Sequence, residues 1–227
     1  ESFKITELDE EKEFTRFYFL LSHSQLINRD EKSVLESLYE QNETEQQLIS
    51  NKFYKDYKAS RLHLFEHLKQ ENLDKDELLL FEKTQKLMDR FIFVCFCEDN
   101  GLLPENIFRK VIEAARVSFG LSETKIWDQL KGLFSSIDKG NPPLNINRFN
   151  GGLFKSDPDL DTLIMKDYIF SELEKIACYD FGSELDVNIL GHIFEHGISD
   201  IEEIKSEILK EKIDKREGKR KRDGIFY

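Results

Sequence analysis

The chain has 227 residues, of which 39% are hydrophobic and 34% are charged, and its formal net charge is −12 at pH 7. This share of apolar residues is enough for a packed core and excludes a disordered chain. The negative charge argues against a free-standing nucleic-acid-binding domain. The longest apolar run, residues 91–97, is too short to cross a membrane, and the acidic first residues do not form a signal peptide. We therefore predict a cytoplasmic protein without membrane contact.

The N-terminal third of the chain is predicted to be mostly helical. Period-two alternation is confined to residues 2–8, which predict a short strand, and three-to-four spacing of aromatic residues predicts a helix over 9–27. Asp30 or Ser33 is expected to open a short helix that ends at Tyr39. A second helix start, with Asn42 or Thr44 as N-cap, then predicts a long helix to about Gln70, with one apolar stripe. That stripe consists of Phe53, Tyr57, Leu64 and Leu68.

The most informative predicted helix lies within residues 72–104. Leu80, Leu87, Phe91 and Val94 form one apolar face of it, and every side chain from 91 to 97 is apolar. This end is therefore expected to be buried all round, as in a central core helix. Gly101 and Pro104 mark its stop.

The second half of the chain contains shorter predicted helices and one loop. Helices are predicted over 105–118 and 123–137, whereas residues 138–154, with two of the four prolines, predict a loop at a boundary between subdomains. Further helices are predicted near 167–180, 186–198 and 199–216. The fold class is therefore all-α, a multi-helix connector with a long buried central helix. We divide it into subdomains 1–140 and 141–211 and a basic linker, 212–227.

The three cysteines do not form a disulfide or metal-binding pattern. Cys95 and Cys97 are two residues apart in an apolar run, and Cys178 stands alone. All three are predicted to be buried, inert thiols in a reducing compartment.

A short basic tract near the C-terminus contrasts with an acidic body. Residues 210–222 contain eight Lys or Arg and three acids, which leaves 33 − 8 = 25 bases and 45 − 3 = 42 acids in the rest of the chain. The tract is either a set of phosphate contacts or a solvated helix end that leads into a linker. The candidate DNA contacts are Lys215, Arg216, Lys219, Arg220, Lys221 and Arg222.

Two H-x-x-E-H boxes, residues 63–67 and 192–196, match the arrangement of one class of zinc peptidase. On a helix the two histidines of each box lie on one face, which suits two zinc ligands. A working site needs a third ligand, which the sequence does not single out among 45 acids. We therefore interpret the four histidines as residues that flank apolar helix faces, with zinc hydrolysis as an alternative.

Two other patterns suggest DNA chemistry and are interpreted as structural. Residues 141–144 read N-P-P-L, close to the N-P-P-aromatic motif of amino-group methyltransferases, but Leu144 lacks the aromatic ring that stacks on a flipped base, so a turn is predicted. The E-x-K triplets at 10–12, 123–125 and 203–205 fall in helical, charge-rich segments and not on the strand that a metal-dependent nuclease uses.

Several segments, in the order in which they occur, resemble one family. Residues 85–104 resemble its helix block ending in acid-Asp-x-Gly-Leu-Leu-Pro, and 148–154 resemble its Asn-Gly-Gly-Leu-Phe loop. Residues 185–198, with 222–227, resemble its Leu-Gly-x-Ile-Tyr/Phe-Glu helix leading to Gly-x-Phe-Tyr. The family comprises the single-chain type IIG restriction–modification enzymes and the related adenine-N6 methyltransferases of BREX-like phage defence.

This resemblance implies a role as the helical connector before a methyltransferase domain. In such proteins a nuclease domain, when present, precedes this region, so the chain is expected to be part of a longer enzyme. By resemblance, Phe226 and Tyr227 begin the motif that holds S-adenosylmethionine, but the Thr-Pro that completes it does not follow. The parent enzyme is expected to use S-adenosylmethionine, and Mg²⁺ where it cleaves. The connector itself is expected to need no cofactor and to catalyse nothing; its partners are DNA, through the parent, and the adjoining modules. A stand-alone all-α interaction module is a further alternative.

Overall fold

The computed structural model describes residues 6, 8–22, 26, 32–149, 151–185, 190–191 and 201–210. These residues form helices and 3-10 turns and contain no β-strand; an isolated antiparallel bridge joins Asn141 and Ile146. The all-α prediction is therefore confirmed. The predicted strand at 2–8 lies mostly outside the described residues. None of the described helices is both long and apolar enough to span a membrane.

Contacts divide the chain into two compact units, Glu1–Ile49 and Ser50–Tyr227. The predicted boundary at 140/141 falls inside the second unit. The linker predicted at 212–227 lies outside the described residues.

In the first unit, helix α1 (Glu11–Leu21) buries none of its side chains. Phe14 and Tyr18 stack with their ring centroids 6.4 Å apart while both remain exposed. The helix is shorter than the predicted 9–27.

Helix α2 (Val34–Glu71) is continuous, so the predicted break between Tyr39 and Asn42 is wrong. Ser33 opens it with a capping box: the Glu36 backbone N–H donates to Ser33 Oγ over 3.1 Å, and the Ser33 N–H donates to Glu36 Oε2 over 2.8 Å. Thr44 caps nothing, because its hydroxyl donates instead to the Glu40 carbonyl within the helix. The helix runs through Asn42 and Thr44. Thr44 is tolerated inside it because an N-cap residue type causes no break when its side chain is satisfied within the helix.

The second unit is built around helix α3 (Glu77–Asp99), which begins at the N-cap Asp76. As predicted, Leu80, Leu87, Phe91 and Val94 are buried. Burial is not complete all round: Phe93 and Phe96 are half-buried, on the side that faces the 151–157 loop described below. The helix stops near Gly101, whose φ of 69° favours glycine, as predicted.

Helices α4 (Ile107–Arg116) and α5 (Lys125–Lys139) form an antiparallel pair next to α3. A 3-10 turn (Pro142–Leu144), which confirms the predicted turn at N-P-P-L, and a second one (Gly152–Phe154) follow. The chain then forms a one-turn helix α6 (Pro158–Asp161), a 3-10 turn (Asp167–Ile169) and helix α7 (Phe170–Ile176). Residues 201–210 form helix α8.

Aromatic rings dominate the core of this unit, as the 19 phenylalanines suggest. Phe91 packs edge-on against Phe108 with centroids 4.6 Å apart, and Phe65 packs against Phe81 at 5.2 Å. The predicted stripe of α2 is buried: Phe53, Tyr57, Leu64 and Leu68. Since each aromatic side chain buries a large apolar area, these contacts provide much of the hydrophobic stabilisation.

Alanine substitutions at two glycines of this unit are expected to change the free energy of unfolding in opposite directions. A Cβ on Gly132, in the middle of α5, meets nothing within 4 Å, so Gly132→Ala is expected to raise the free energy of unfolding by about 1 kcal/mol. Gly140 has a φ of +83° and a Cβ there meets the Arg148 backbone N at 3.3 Å, so Gly140→Ala is expected to lower it by at least a similar amount. Urea denaturation of the dilute protein checks both; equal effects of the two substitutions would contradict the reasoning.

Candidate functional site: a loop held by a buried arginine

The predicted DNA contacts and the predicted cofactor residues lie outside the described residues. This holds for Phe226 and Tyr227, for the second H-x-x-E-H box with His192 and His196, and for the basic candidates Lys215, Arg216, Lys219, Arg220, Lys221 and Arg222. These assignments stay predictions.

The first H-x-x-E-H box is described, and its two histidines have different environments. His63 is exposed and lies 3.3 Å from Glu172. His67 is buried, and both of its ring nitrogens are engaged: Nε2 accepts from the Lys166 backbone N–H over 3.1 Å, and Nδ1 lies 2.8 Å from the Tyr168 hydroxyl. Because Nε2 is an acceptor, the proton of the neutral ring is on Nδ1, and burial lowers the pKa of His67.

This arrangement makes His67 a structural link between α2 and the segment at 166–168. A metal ion at either nitrogen would have to displace one of these hydrogen bonds. Among the described residues, no group of three or more His, Cys, Asp or Glu converges in a way that could hold a metal ion.

The cysteines also differ from one another. Cys95 and Cys97 are buried, and burial raises the pKa of both thiols, which makes them poor nucleophiles. The prediction was wrong for Cys178, which is exposed because it follows the short helix α7 at the surface; its Sγ lies 3.2 Å from the Glu174 carbonyl oxygen.

Glu98, near the end of α3, is a partly buried carboxyl group with a raised pKa. Burial raises its pKa to about 7. Its Oε1 accepts a 2.6 Å hydrogen bond from the Phe108 N–H in the first turn of α4, whose own N-cap residue, Asn106, makes no side-chain cap. Glu98 therefore substitutes for the missing N-cap.

The most developed polar arrangement joins α3 to the 151–157 loop. The Arg90 side chain is buried, its Nε donates to the Leu153 carbonyl over 2.8 Å, and its Nη2 donates to the Lys155 carbonyl over 2.9 Å. The guanidinium also lies over the rings of Phe134 and Phe154, 5.1 and 5.9 Å from their centroids. Arg90 thus fixes two backbone carbonyls of the loop and packs against aromatic rings on its faces.

Two lysines of α3, about one and two helical turns before Arg90, hold the end of the same loop. Asp157 receives 2.8 Å hydrogen bonds from Lys83 and Lys86, and its Oδ1 accepts from the Leu160 N–H, which caps α6. Burial alone would raise the pKa of Asp157, but the hydrogen bonds from Lys83 and Lys86 outweigh burial and hold that pKa well below its usual range. We call Lys83, Lys86, Arg90 and Asp157 the loop anchor.

The loop was predicted from the sequence, but the loop anchor was not. A signal was present: Lys83, Lys86 and Arg90 follow one another at helical spacing, and Asp157 directly precedes Pro158, which is a typical helix start. The pattern does not reveal which loop the cations contact.

An apolar groove of about 600 Å³ lies beside the loop anchor. Its lining includes Phe93 and Phe96 of α3, Leu153 of the loop, Leu190 and the Asp89 carboxylate. Gln85 donates a 2.8 Å hydrogen bond to Asp89, so the one charged side chain among the described residues of this lining is already partnered.

Within the described residues, the fold and the loop anchor define an all-α scaffold in which a loop is hydrogen-bonded to a central helix. Residues 82–154 match the family model described as MmeI, helicase spacer domain. This match covers less than half of the chain and includes α3 from residue 82, α4, α5 and the Asn-Gly-Gly-Leu-Phe loop. It supports a relation of this region to the spacer of type IIG restriction–modification enzymes. No curated protein and no solved structure matches the chain significantly.

Proposed function

We propose that the chain is the helical connector of a type IIG or BREX-like restriction–modification enzyme, in which it positions a nuclease or N-terminal module relative to a DNA methyltransferase. The observation that carries the proposal is the match of residues 82–154 to the MmeI helicase spacer domain. The segments at 85–104 and 148–154, which resemble this family in sequence, both lie inside the matched region.

The geometry of the loop anchor supports a positioning role. A connector keeps two modules in a fixed geometry only when its own elements do not move. Buried, fully satisfied hydrogen bonds between charged groups and their partners restrict the motion of the elements that they join. Arg90 and Asp157 tie residues 153–157 to α3 at both ends of the loop. We infer that the loop and α3 move as one body in the complete enzyme.

The proposed parent reaction is methyl transfer from S-adenosylmethionine to adenine N6 in DNA, coupled in some members to Mg²⁺-dependent cleavage. In this proposal Phe226 and Tyr227 begin the cofactor motif, and the basic tract contacts the DNA backbone at the junction. Lysine and arginine contacts to phosphate fix orientation without reading sequence, which suits a connector.

Salt-dependent DNA binding tests the role of the basic tract. The substitution of Lys219, Arg220, Lys221 and Arg222 by glutamine is expected to weaken duplex binding and to reduce the slope of log K against log salt by about 3 to 4. Fluorescence anisotropy with a labelled duplex at several salt concentrations measures this slope. The matched control replaces four exposed lysines of the acidic body, Lys55, Lys75, Lys139 and Lys155, and is expected to leave the slope nearly unchanged. Equal effects of both variants would argue against a phosphate-contacting tract.

The complete protein tests the larger proposal. Its reading frame is expected to continue with Thr-Pro after Tyr227 and to contain an N-P-P-aromatic motif further on. The purified complete protein is expected to transfer a tritiated methyl group from S-adenosylmethionine to adenine in DNA. A continuation without these motifs, or a folded complete protein without methyl transfer, would refute the proposal.

A further inference from the structure

Helices α4 and α5 form an apolar groove that no described part of the chain fills. The groove has a volume of about 670 Å³ and lies between the two helices and the turn that follows α5. Its apolar lining includes Val111, Leu133 and Leu144, and Lys110 is the single ionisable residue among the described residues that line it. A concave surface lined by apolar side chains together with a few polar ones is a candidate binding site.

The floor of the groove carries a glycine that the fold of the chain does not require. Gly132 lies in mid-helix, where glycine is less stable than alanine, and a Cβ there would point into open space. The glycine therefore leaves room for close approach by something outside the described chain.

The loop that joins the same two helices projects apolar side chains into solvent. Val117 is 78% exposed, and Phe119 and Leu121 are fully exposed. The loop is held by side chains: Lys125 donates to the Ser118 carbonyl over 3.1 Å, and the Ser118 hydroxyl donates to the Ala115 carbonyl over 2.8 Å. An exposed aromatic side chain on a held loop is typical of an interface anchor.

We propose that this surface pairs with a second copy of the chain, so that the 117–121 loop of each copy enters the groove of the other. The loop lies at the end of the groove where α4 and α5 are joined, so one surface carries both a projection and a cavity. A two-fold axis brings such a surface into contact with itself, loop to groove and groove to loop. The proposal does not depend on the proposed function.

The charges of the two parts are also complementary. Glu123 is the single charged residue between 117 and 124, and its side chain stays 76% exposed although its carboxylate lies 3.7 Å from Lys166 of the same chain. Lys110, whose Nζ donates to the Glu105 carbonyl over 2.8 Å, is the single ionisable residue among the described residues of the groove lining. Insertion of the loop brings this carboxylate towards the partner's ammonium group. Attraction between these opposite charges favours this orientation of the two copies over others.

Sedimentation velocity of the 227-residue chain over a range of concentrations tests the pairing. We expect a reversible dimer, and we expect Phe119→Ser and Gly132→Leu each to raise its dissociation constant at least tenfold. The first substitution removes the projection and the second fills the cavity; circular dichroism is expected to show unchanged helix content for both. Leu73→Ser, at another exposed apolar residue of the same unit (87% exposed), is the matched control and is expected to leave the dimer intact.

Charge reversal distinguishes this arrangement from a dimer through another surface. Lys110→Glu is expected to weaken the dimer, and the addition of Glu123→Lys is expected to restore it. A chain that is monomeric at all concentrations would overturn the proposal. So would a dimer that resists Phe119→Ser and Gly132→Leu but dissociates with Phe14→Ser, because Phe14 lies on the exposed face of α1.

Discussion

Replacement of Arg90 by methionine is expected to lower the free energy of unfolding by roughly 3–5 kcal/mol. Methionine fills much of the same space but donates no hydrogen bond, so the carbonyls of Leu153 and Lys155 lose their donors. The loss is large because the Arg90 side chain is buried, so water does not supply new donors to the two carbonyls. Urea denaturation followed by circular dichroism measures the difference.

The control for this prediction is Arg109→Met, at an exposed arginine on α4. Its effect is expected to stay within about 0.5 kcal/mol. Arg90→Lys is expected to fall between the two, because an ammonium group keeps the charge but not the planar pair of donors. Similar losses in Arg90→Met and Arg109→Met would show that the anchor is not a major source of stability.

Hydrogen exchange locates the effect. If Arg90 holds the loop, amide exchange in Arg90→Met is expected to accelerate first in residues 151–157 and only later in α3. Uniform acceleration over the second unit would mean that Arg90 supports the core as a whole and not the loop in particular.

The parts of the fold that could be predicted from sequence are those fixed by local periodicity and end signals. The buried face of α3, the stripe of α2 and the stop at Gly101 follow from residue spacing and from the backbone freedom of glycine. The break predicted before Asn42 was wrong because local N-cap signals compete with the helical preference of the surrounding residues. The stronger start is at Ser33, where the capping box with Glu36 satisfies two backbone N–H donors at once.

The loop anchor could not be predicted, because its contacts span long separations in sequence. Arg90 meets carbonyls 63 and 65 residues away, and Lys83 meets Asp157 at a separation of 74 residues. Periodicity shows that cations share a helix face but not which loop covers it. The Asn-Gly-Gly-Leu-Phe motif identifies the loop in the sequence. The residues that hold the loop cannot be recognised in the same way, because Lys83, Lys86 and Arg90 lie on α3.

The charge of Asp157 should make the stability of the loop anchor dependent on pH. Hydrogen bonds from Lys83 and Lys86 hold its pKa in the folded protein below that of the unfolded chain, which is about 3.9. Asp157 therefore takes up a proton less readily in the folded protein than in the unfolded chain. Its contribution to the free energy of unfolding is fully present above about pH 4. It is lost as the pH falls through the lower folded pKa.

Asp157→Asn is accordingly expected to lower the free energy of unfolding by about 2–4 kcal/mol at pH 7. Asparagine can still accept from the Leu160 N–H, so the cap of α6 persists while the charge that pairs with Lys83 and Lys86 is lost. Below about pH 4 the gap between variant and wild type is expected to narrow, because Asp157 of the unfolded wild-type chain takes up a proton there while Asp157 of the folded protein is still charged. Asp159→Asn is the matched control, since Asp159 lies in the same helical turn, is 65% exposed and is 3.7 Å from Lys83. Its effect is expected to remain below about 1 kcal/mol at every pH. A gap for Asp157→Asn that stays constant down to pH 2 would assign the stabilisation to shape and hydrogen bonding, and the ion pairs would then not be what fixes the end of the loop to α3.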